Sequence, residues 1–130
     1  MDSTVETVGV RYFVDDVPAA VEFYRRLGFE VAFQPGAGFA VLVRGALRLM
    51  LNQVDSPGGA TQPMPDGRRP EPGGWNRLQL TVPDLAGMVA ELRDGGAGFR
   101  GDVVHGHGGD QVLLDDPSGN PVELFQPHPA

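Results

Sequence analysis

An internal duplication constrains the fold of this chain more than any other feature. The segment VRYFVDDVPAAVEFYRRLGFEV (10–31) aligns without a gap with LQLTVPDLAGMVAELRDGGAGF (78–99), at an offset of 68 residues. Five identities fall in one register: Val14 with Val82, Asp16 with Asp84, Val21 with Val89, Arg25 with Arg93 and Gly28 with Gly96. A match of this kind predicts two copies of one supersecondary unit.

Each copy has the pattern of a strand, a helix and further strands. Apolar residues alternate with others along 9–14, which is typical of a half-buried strand. Asp16 is placed to cap a helix with Pro18 in its first turn and Gly28 at its end, and Asp84 repeats the cap. Paired strands are predicted to follow in FAVLVRGALRLMLNQ (39–53) and DQVLLDDPSGNPVELFQ (110–126). The sequence therefore predicts an α+β fold.

We predict two tandem βαβββ modules in one structural domain, the first over 1–53 and the second over 76–130. The connecting segment 54–75 has five prolines and five glycines, so it cannot be a regular helix or a central strand. It is either a flexible linker or a binding loop, for which Met64, Arg68, Arg69 and Trp75 are useful contact residues.

Charge and composition exclude several classes of function. The formal net charge is −7, and a nucleic-acid-binding protein would need a basic surface that this chain lacks. All ten basic residues are Arg, so Schiff-base catalysis by Lys is excluded, and the absence of Cys excludes thiolate chemistry. No stretch approaches the ~20 apolar residues of a membrane span, and the acidic first ten residues are not expected to be a signal peptide. We expect a cytoplasmic protein with no membrane partner.

Two segments carry a resemblance to a known family. YFVDDVPAAVEFYRRLGFEV (12–31) and DPSGNPVELFQP (116–127) resemble the opening and closing elements of the vicinal oxygen chelate superfamily, which includes glyoxalase I, extradiol dioxygenases and bleomycin-resistance proteins. The resemblance covers about residues 8–127. It implies curved mixed sheets around a cavity, with units paired into a homodimer. In the metal-dependent members, it also implies metal ligands on the first and last strand of each unit.

The residues at those ligand positions are unsuited to a metal. The resemblance implies a His seven residues before each capping Asp, where this chain has Gly9 and Arg77. In the first copy's closing strand the carboxylate position falls at Arg48 or Met50. Only Glu123, in the second copy, is a residue type that can ligate such a metal. Because a catalytic centre usually needs at least three protein ligands, we expect no bound metal and no cofactor.

Strand alternation sorts side chains between the core and the implied cavity. Since Leu78 and Leu80 are expected in the core, Gln79 should face the other way. The same rule, together with Met64 and Trp75 of the connecting segment, gives the predicted ligand-binding set: Arg11, Phe13, Phe39, Arg48, Met50, Met64, Trp75, Arg77, Gln79, Gln111, Leu113, Glu123 and Phe125. The alternative is a solvated sheet face or a dimer contact, in which one of the three arginines of the set pairs with Glu123.

Trp75 is the single Trp of the chain. It could be a core side chain beneath the loop or a plate on which a flat ligand stacks. We expect the second, because Gly73 and Gly74 should leave the residue free to move.

Several functions are compatible with these residues. The favoured one is a metal-free protein that binds a small molecule and sequesters a flat, largely aromatic natural product or antibiotic, as in self-resistance. The main alternative is a metalloenzyme, a lyase, isomerase or dioxygenase, that combines Glu123 with His105 or His107. Two others are a metal-free isomerase or epimerase with Glu123 as general base, and an accessory protein with an empty pocket.

Overall fold

The computed structural model describes residues 6–129, so residues 1–5 of the predicted first module and Ala130 of the second lie outside the described part. The chain divides into two compact units, Met1–Pro72 and Gly73–Ala130. The boundary therefore falls inside the predicted connecting segment 54–75, and Trp75 belongs to the second unit. No helix among the described residues is long and apolar enough to cross a membrane.

The first unit is a four-stranded mixed sheet with one helix. Its elements are β1 (Gly9–Val14), α1 (Val17–Arg26), β2 (Glu30–Gly36), β3 (Phe39–Arg44) and β4 (Leu47–Gln53), followed by a short 3-10 helix, Gly59–Thr61. The strand order is β1-β4-β3-β2. β1 pairs with β4 in parallel, and the other pairs are antiparallel. The first and last strands of the unit are therefore neighbours.

The second unit repeats this plan with a divided strand. Its elements are β5 (Leu78–Thr81), α2 (Leu85–Asp94), β6 (Gly98–Phe99), β7 (Val104–His105), β8 (Gly109–Asp115) and β9 (Pro121–Pro127). The order is β5-β9-β8-β6, and β7 also pairs with β8. In the first unit the seven-residue β2 pairs with β3. In the second unit the two-residue strands β6 and β7 take the place of β2, and both pair with β8. The predicted α+β class and the βαβββ plan are confirmed.

The two helices begin and end as the duplication predicts. The Asp16 carboxylate accepts a hydrogen bond from the Ala19 N–H at 3.1 Å, and the Asp84 carboxylate accepts one from the Gly87 N–H at 3.0 Å. Each cap supplies a partner to a helix N–H that would otherwise have none. Gly28 and Gly96 follow the helices with φ of +90° and +88°, a left-handed conformation that favours glycine.

The most deeply buried leucine and valine side chains of each sheet lie on one strand parity. In the first unit Leu42, Leu49 and Leu51 are fully buried, and the ring of Tyr24 is buried in edge-to-face contact with Phe23, at 5.0 Å between ring centroids. The second unit buries the same strand parity, with Leu80, Val112, Leu114, Val122 and Leu124 at most 3% exposed. The opposite parity in each sheet supplies the side chains from which a site can be built.

Leu49 provides a direct test of this division. Leu49→Ala should lower the free energy of unfolding by about 2–5 kcal/mol, because it leaves a cavity in a fully buried position of the first unit. Met64→Ala is the control, since Met64 is 49% exposed and should cost less than about 1 kcal/mol. Urea denaturation followed by circular dichroism measures both, and equal losses for the two variants would contradict the assigned core.

Candidate functional site

Glu123 is buried in a polar network on the second sheet. The residue is 7% exposed and pairs in register with Gln79 on β5 and Leu113 on β8. The Arg77 guanidinium donates from Nε and Nη2 to Glu123 Oε1, at 3.1 and 3.0 Å. The Gln79 amide donates to Oε2 at 2.7 Å. Both carboxylate oxygens are therefore engaged, as a buried charge requires. Of the three arginines considered, Arg77 is the one that pairs with Glu123.

The register also identifies the counterpart of Glu123 in the first unit. On the parallel strands of the second unit Gln79 pairs with Glu123, and on those of the first unit Arg11 pairs with Met50. Because position 79 corresponds to position 11 at the offset of the duplication, Glu123 corresponds to Met50 and not to Arg48. A Cβ atom placed on Gly9 would stand 2.6 Å from Met50 Cε, so the Met50 side chain occupies the space beside Gly9.

These residues do not fit a divalent metal. The four positions at which the sequence resemblance implies ligands hold Gly9, Met50, Arg77 and Glu123, and the one carboxylate among them already accepts hydrogen bonds on both oxygens. An arginine cation in direct contact also disfavours a bound cation. Within residues 6–129, no cluster of three His, Asp or Glu side chains could hold a metal ion. The donor set of a metalloenzyme is not assembled here.

The histidines of the alternative hypothesis lie on a hairpin. His105 is on β7, and its Nδ1 lies 2.9 Å from the Asp110 carboxylate on β8. The side chain of His105 is 78% exposed, and His107 is in the connecting turn, where the Gly106 N–H donates to the Gly109 carbonyl. These contacts fit the exposed hairpin turn that the glycine-rich sequence favours.

A concavity of about 260 Å³ lies beside the Glu123 network, within the second unit. Its lining contains five predicted ligand-binding residues: Trp75, Arg77, Gln111, Leu113 and Glu123. Val104, Asp102 and Arg100 add further walls. The volume lies just below the common range for small-molecule sites, so this concavity suits one ring system better than a large ligand.

Trp75 is held in place by the second unit although it is 72% exposed. The Arg100 guanidinium lies 4.8 Å from the centroid of the indole ring, a cation–π contact, and donates from Nη1 to the Gly74 carbonyl at 3.1 Å. The Gly73 N–H donates to the Asn120 side chain at 2.9 Å. The expectation that the two glycines leave Trp75 free to move is therefore wrong, because both are tied to the body of the unit. With so much of the residue exposed, Trp75 is also not a core side chain.

Arg100 is in turn fixed by its own partners. Its Nε lies 2.6 Å from the Asp115 carboxylate, and its Nη2 donates to the Gly119 carbonyl at 3.1 Å. The turn that contains Gly119 is itself held by Asp116, which is 4% exposed and accepts hydrogen bonds from the Ser118 and Asn120 N–H groups. The β8–β9 turn thus sets the position of the indole plate.

The first unit has a larger concavity, about 730 Å³ in volume. It brings together Arg11 and Phe39 of the predicted set with Asn52 and several small or apolar residues: Pro35, Gly36, Gly38, Ser56, Pro57, Gly58, Gly59 and Ala60. Arg11 Nη1 donates to the Asn52 side-chain oxygen at 2.6 Å. The segment after β4 therefore contributes a wall, consistent with the binding-loop interpretation of its first half.

The other predicted site residues do not line either concavity: Phe13, Arg48, Met50, Met64, Gln79 and Phe125. Gln79 donates a hydrogen bond to Glu123, which does line the smaller concavity. Arg48 donates to Thr7 Oγ1 at 3.2 Å, and Met64 lies exposed on the connecting segment. Sequence reasoning missed Arg100 and Asn120, which position Trp75, because nothing in the strand pattern marks them. Asn52 could have been included, since its strand parity matches that of Met50.

Comparisons with known proteins agree on one family. The family model for the Glyoxalase/Bleomycin resistance protein/Dioxygenase superfamily matches residues 6–124. Among solved structures, TnmS3, an antibiotic binding protein from a Streptomyces species, is 26% identical with a TM-score of 0.66, and the match covers 98% of this chain and 100% of that one. A lactoylglutathione lyase from Agrobacterium tumefaciens is 21% identical with a TM-score of 0.68, over 96% of each chain. A superfamily member from Sphaerobacter thermophilus is 24% identical with a TM-score of 0.71, over 94% of this chain and 97% of that one. The search of curated proteins found no match.

The Arg77–Glu123 pair should contribute to stability in a way that a double variant can isolate. Arg77→Met leaves a buried carboxylate without its cation and should lower the free energy of unfolding by about 3 kcal/mol, the low end for a broken buried pair, since the Arg77 side chain is 31% exposed. Arg77→Met with Glu123→Gln should recover most of that loss, because the buried charge is then gone. Chemical denaturation of both variants is the measurement, and additive losses would show that the two side chains are not coupled.

Proposed function

The chain belongs to the glyoxalase/bleomycin resistance protein/dioxygenase superfamily, and from that premise we propose that it is a metal-free binding protein for a small molecule. The sequence resemblance to this superfamily is confirmed. The proposed ligand is a flat, largely aromatic natural product or antibiotic, and the proposed role is sequestration of that ligand, as in self-resistance.

The engagement of Glu123 carries this proposal. The carboxylate that stands at a metal-ligand position is bound by Arg77 and Gln79, and the other three positions hold residues that cannot supply an oxygen or nitrogen ligand. The same contacts make Glu123 a poor general base. A catalytic base must accept a proton from the substrate, whereas both oxygens of Glu123 already accept hydrogen bonds from the protein. Binding without chemistry is the function that such a site supports best.

The walls of the second concavity support a flat ligand. The Arg100 guanidinium lies over the indole ring of Trp75, and most of Trp75 remains exposed. A rigid aromatic plate loses little conformational freedom when a ligand stacks on it, so it favours binding. The antibiotic binding protein TnmS3, at 26% identity over nearly the whole chain, adds support, whereas the likeness to the lactoylglutathione lyase speaks for the fold alone.

Trp75→Ala should weaken ligand binding by about 1–3 kcal/mol, roughly five- to more than a hundred-fold in Kd, because the variant removes the aromatic plate. Trp75→Phe keeps a flat ring and should lose less. A panel of polycyclic aromatic natural products, such as phenazines and flavonoids, can be screened by quenching of the intrinsic fluorescence of the single Trp. Calorimetry then compares the variants with the best ligand.

The melting temperature is the internal control for this experiment. Because Trp75 is 72% exposed, Trp75→Ala should leave the melting temperature within about 2 °C. A variant that binds normally but melts several degrees lower would show that Trp75 is a structural residue. The absence of binding to every compound of the panel would contradict the sequestration proposal.

We also propose that the protein is a cytoplasmic homodimer. The edge strand β2 supports the dimer, because all seven of its residues are exposed and they include two large apolar side chains, Val31 at 40% and Phe33 at 57%. An unpaired apolar edge strand is a surface that proteins normally cover.

Sedimentation equilibrium at micromolar concentration should give twice the chain mass of 13.9 kDa. Phe33→Glu should shift the mass toward that of a monomer, because it places a charge at the proposed contact, and Glu22→Gln on the exposed side of α1 is the control. A monomer mass for the unmodified chain would contradict the dimer.

A further inference from the structure

Arg11 is a cation without an anionic partner in the larger concavity. No carboxylate among residues 6–129 lies within ion-pair distance of Arg11, whereas Arg77 and Arg100 each have one. The concavity of the first unit has no other charged residue in its lining. Arg11 is itself exposed, and its charge gives the concavity a positive potential that favours an anion.

Asn52 binds one nitrogen of the Arg11 guanidinium. Asn52 is 5% exposed, and its side-chain oxygen accepts from Arg11 Nη1 at 2.6 Å. A guanidinium has five N–H donors in a rigid plane, and Asn52 occupies one of them. The held side chain loses less freedom when it forms a paired hydrogen bond with a planar anion, which is the geometry in which Arg binds a carboxylate.

The duplication shows what is missing from the first unit. In the second unit an arginine beside the first strand meets the carboxylate of Glu123 on the last strand. In the first unit the position of Glu123 is Met50, and Arg11 on the first strand pairs with no acid among residues 6–129. Arg11 therefore keeps N–H donors that an anionic ligand can use.

The walls around Arg11 select the rest of the ligand. Phe39 lies on β3 directly opposite Asn52, and its ring makes an edge-to-face contact with Phe33 at 6.4 Å between ring centroids. Pro35 and Pro57 add flat apolar surface, and the glycines of the lining leave room for a ligand in the space of about 730 Å³. This volume is within the range of known small-molecule sites.

We propose that the first unit binds an aromatic carboxylic acid, with the carboxylate on Arg11 and the ring against Phe39. This assignment goes beyond the proposed function, since it places a second ligand in the first unit. It differs from stacking on Trp75 in both position and charge requirement.

Calorimetry with 2-naphthoate and its neutral isostere 2-naphthamide tests the assignment, because the two probes share shape and differ in charge. The unmodified protein should bind the acid at least tenfold more tightly than the amide. Arg11→Gln, which places in the first unit the residue that position 79 has in the second, should remove that preference and change amide binding less than twofold. Arg11→Lys keeps the charge but not the planar fork and should retain part of the preference. Arg26→Gln, which removes a charge from the exposed end of α1, should behave like the unmodified protein.

The outcomes separate this assignment from the proposed function. Equal affinity for acid and amide, or an acid preference that survives Arg11→Gln, would overturn the role of Arg11 and leave small-molecule binding in place. Failure of both probes to bind at millimolar concentration would overturn the assignment, and the natural-product panel then decides the proposed function separately. Phe39→Ala should weaken both probes alike, and an unchanged affinity would place them outside the first unit.

Discussion

The parallel pairing of the first and last strands in each unit places Gln79 beside Glu123 and Arg11 beside Met50. In the first unit β1 runs beside β4, and in the second unit β5 runs beside β9. A parallel pair cannot be joined by a tight hairpin, so the helix and the intervening strands must cross over before the last strand returns. The crossover brings residues 11 and 50, and residues 79 and 123, to adjacent positions although they are far apart in sequence.

Burial of one charge then decides the chemistry of the second unit. An isolated carboxylate with the 7% exposure of Glu123 would be strongly unfavourable, and either a metal or a set of hydrogen-bond donors can compensate for its desolvation. Here Arg77 and Gln79 supply the donors. In the first unit the thioether of Met50 needs no such compensation, and within residues 6–129 the partner of the Arg11 guanidinium is the neutral Asn52. One duplicated framework thus has a neutralised site in one unit and a cationic site in the other.

The local pattern of the sequence was sufficient to predict the elements and their faces. The capping aspartates, the glycines after both helices and the period-two alternation of β5 and β8 depend on residues close in sequence, and the structure agrees with them. The choice between Arg48 and Met50 as the counterpart of Glu123 depended on strand register, which a single sequence does not determine at one-residue precision. The anchoring of Trp75 could not be predicted either, because it depends on contacts between residues far apart in sequence. Arg100 lies over the indole and is bound by Asp115, and Asn120 accepts from the Gly73 N–H.

Side chains, and not a metal ion, compensate the buried charge of Glu123. Elemental analysis of protein purified without added metal, and again after incubation with Zn²⁺, Fe²⁺, Mn²⁺ and Ni²⁺ followed by desalting, tests it most directly. We expect less than about one tenth of an equivalent of each metal per chain, with no change in Glu123→Ala, because the ligand set is too small for tight binding. About one equivalent of a single metal, lost in Glu123→Ala, would contradict the account and establish a metal centre.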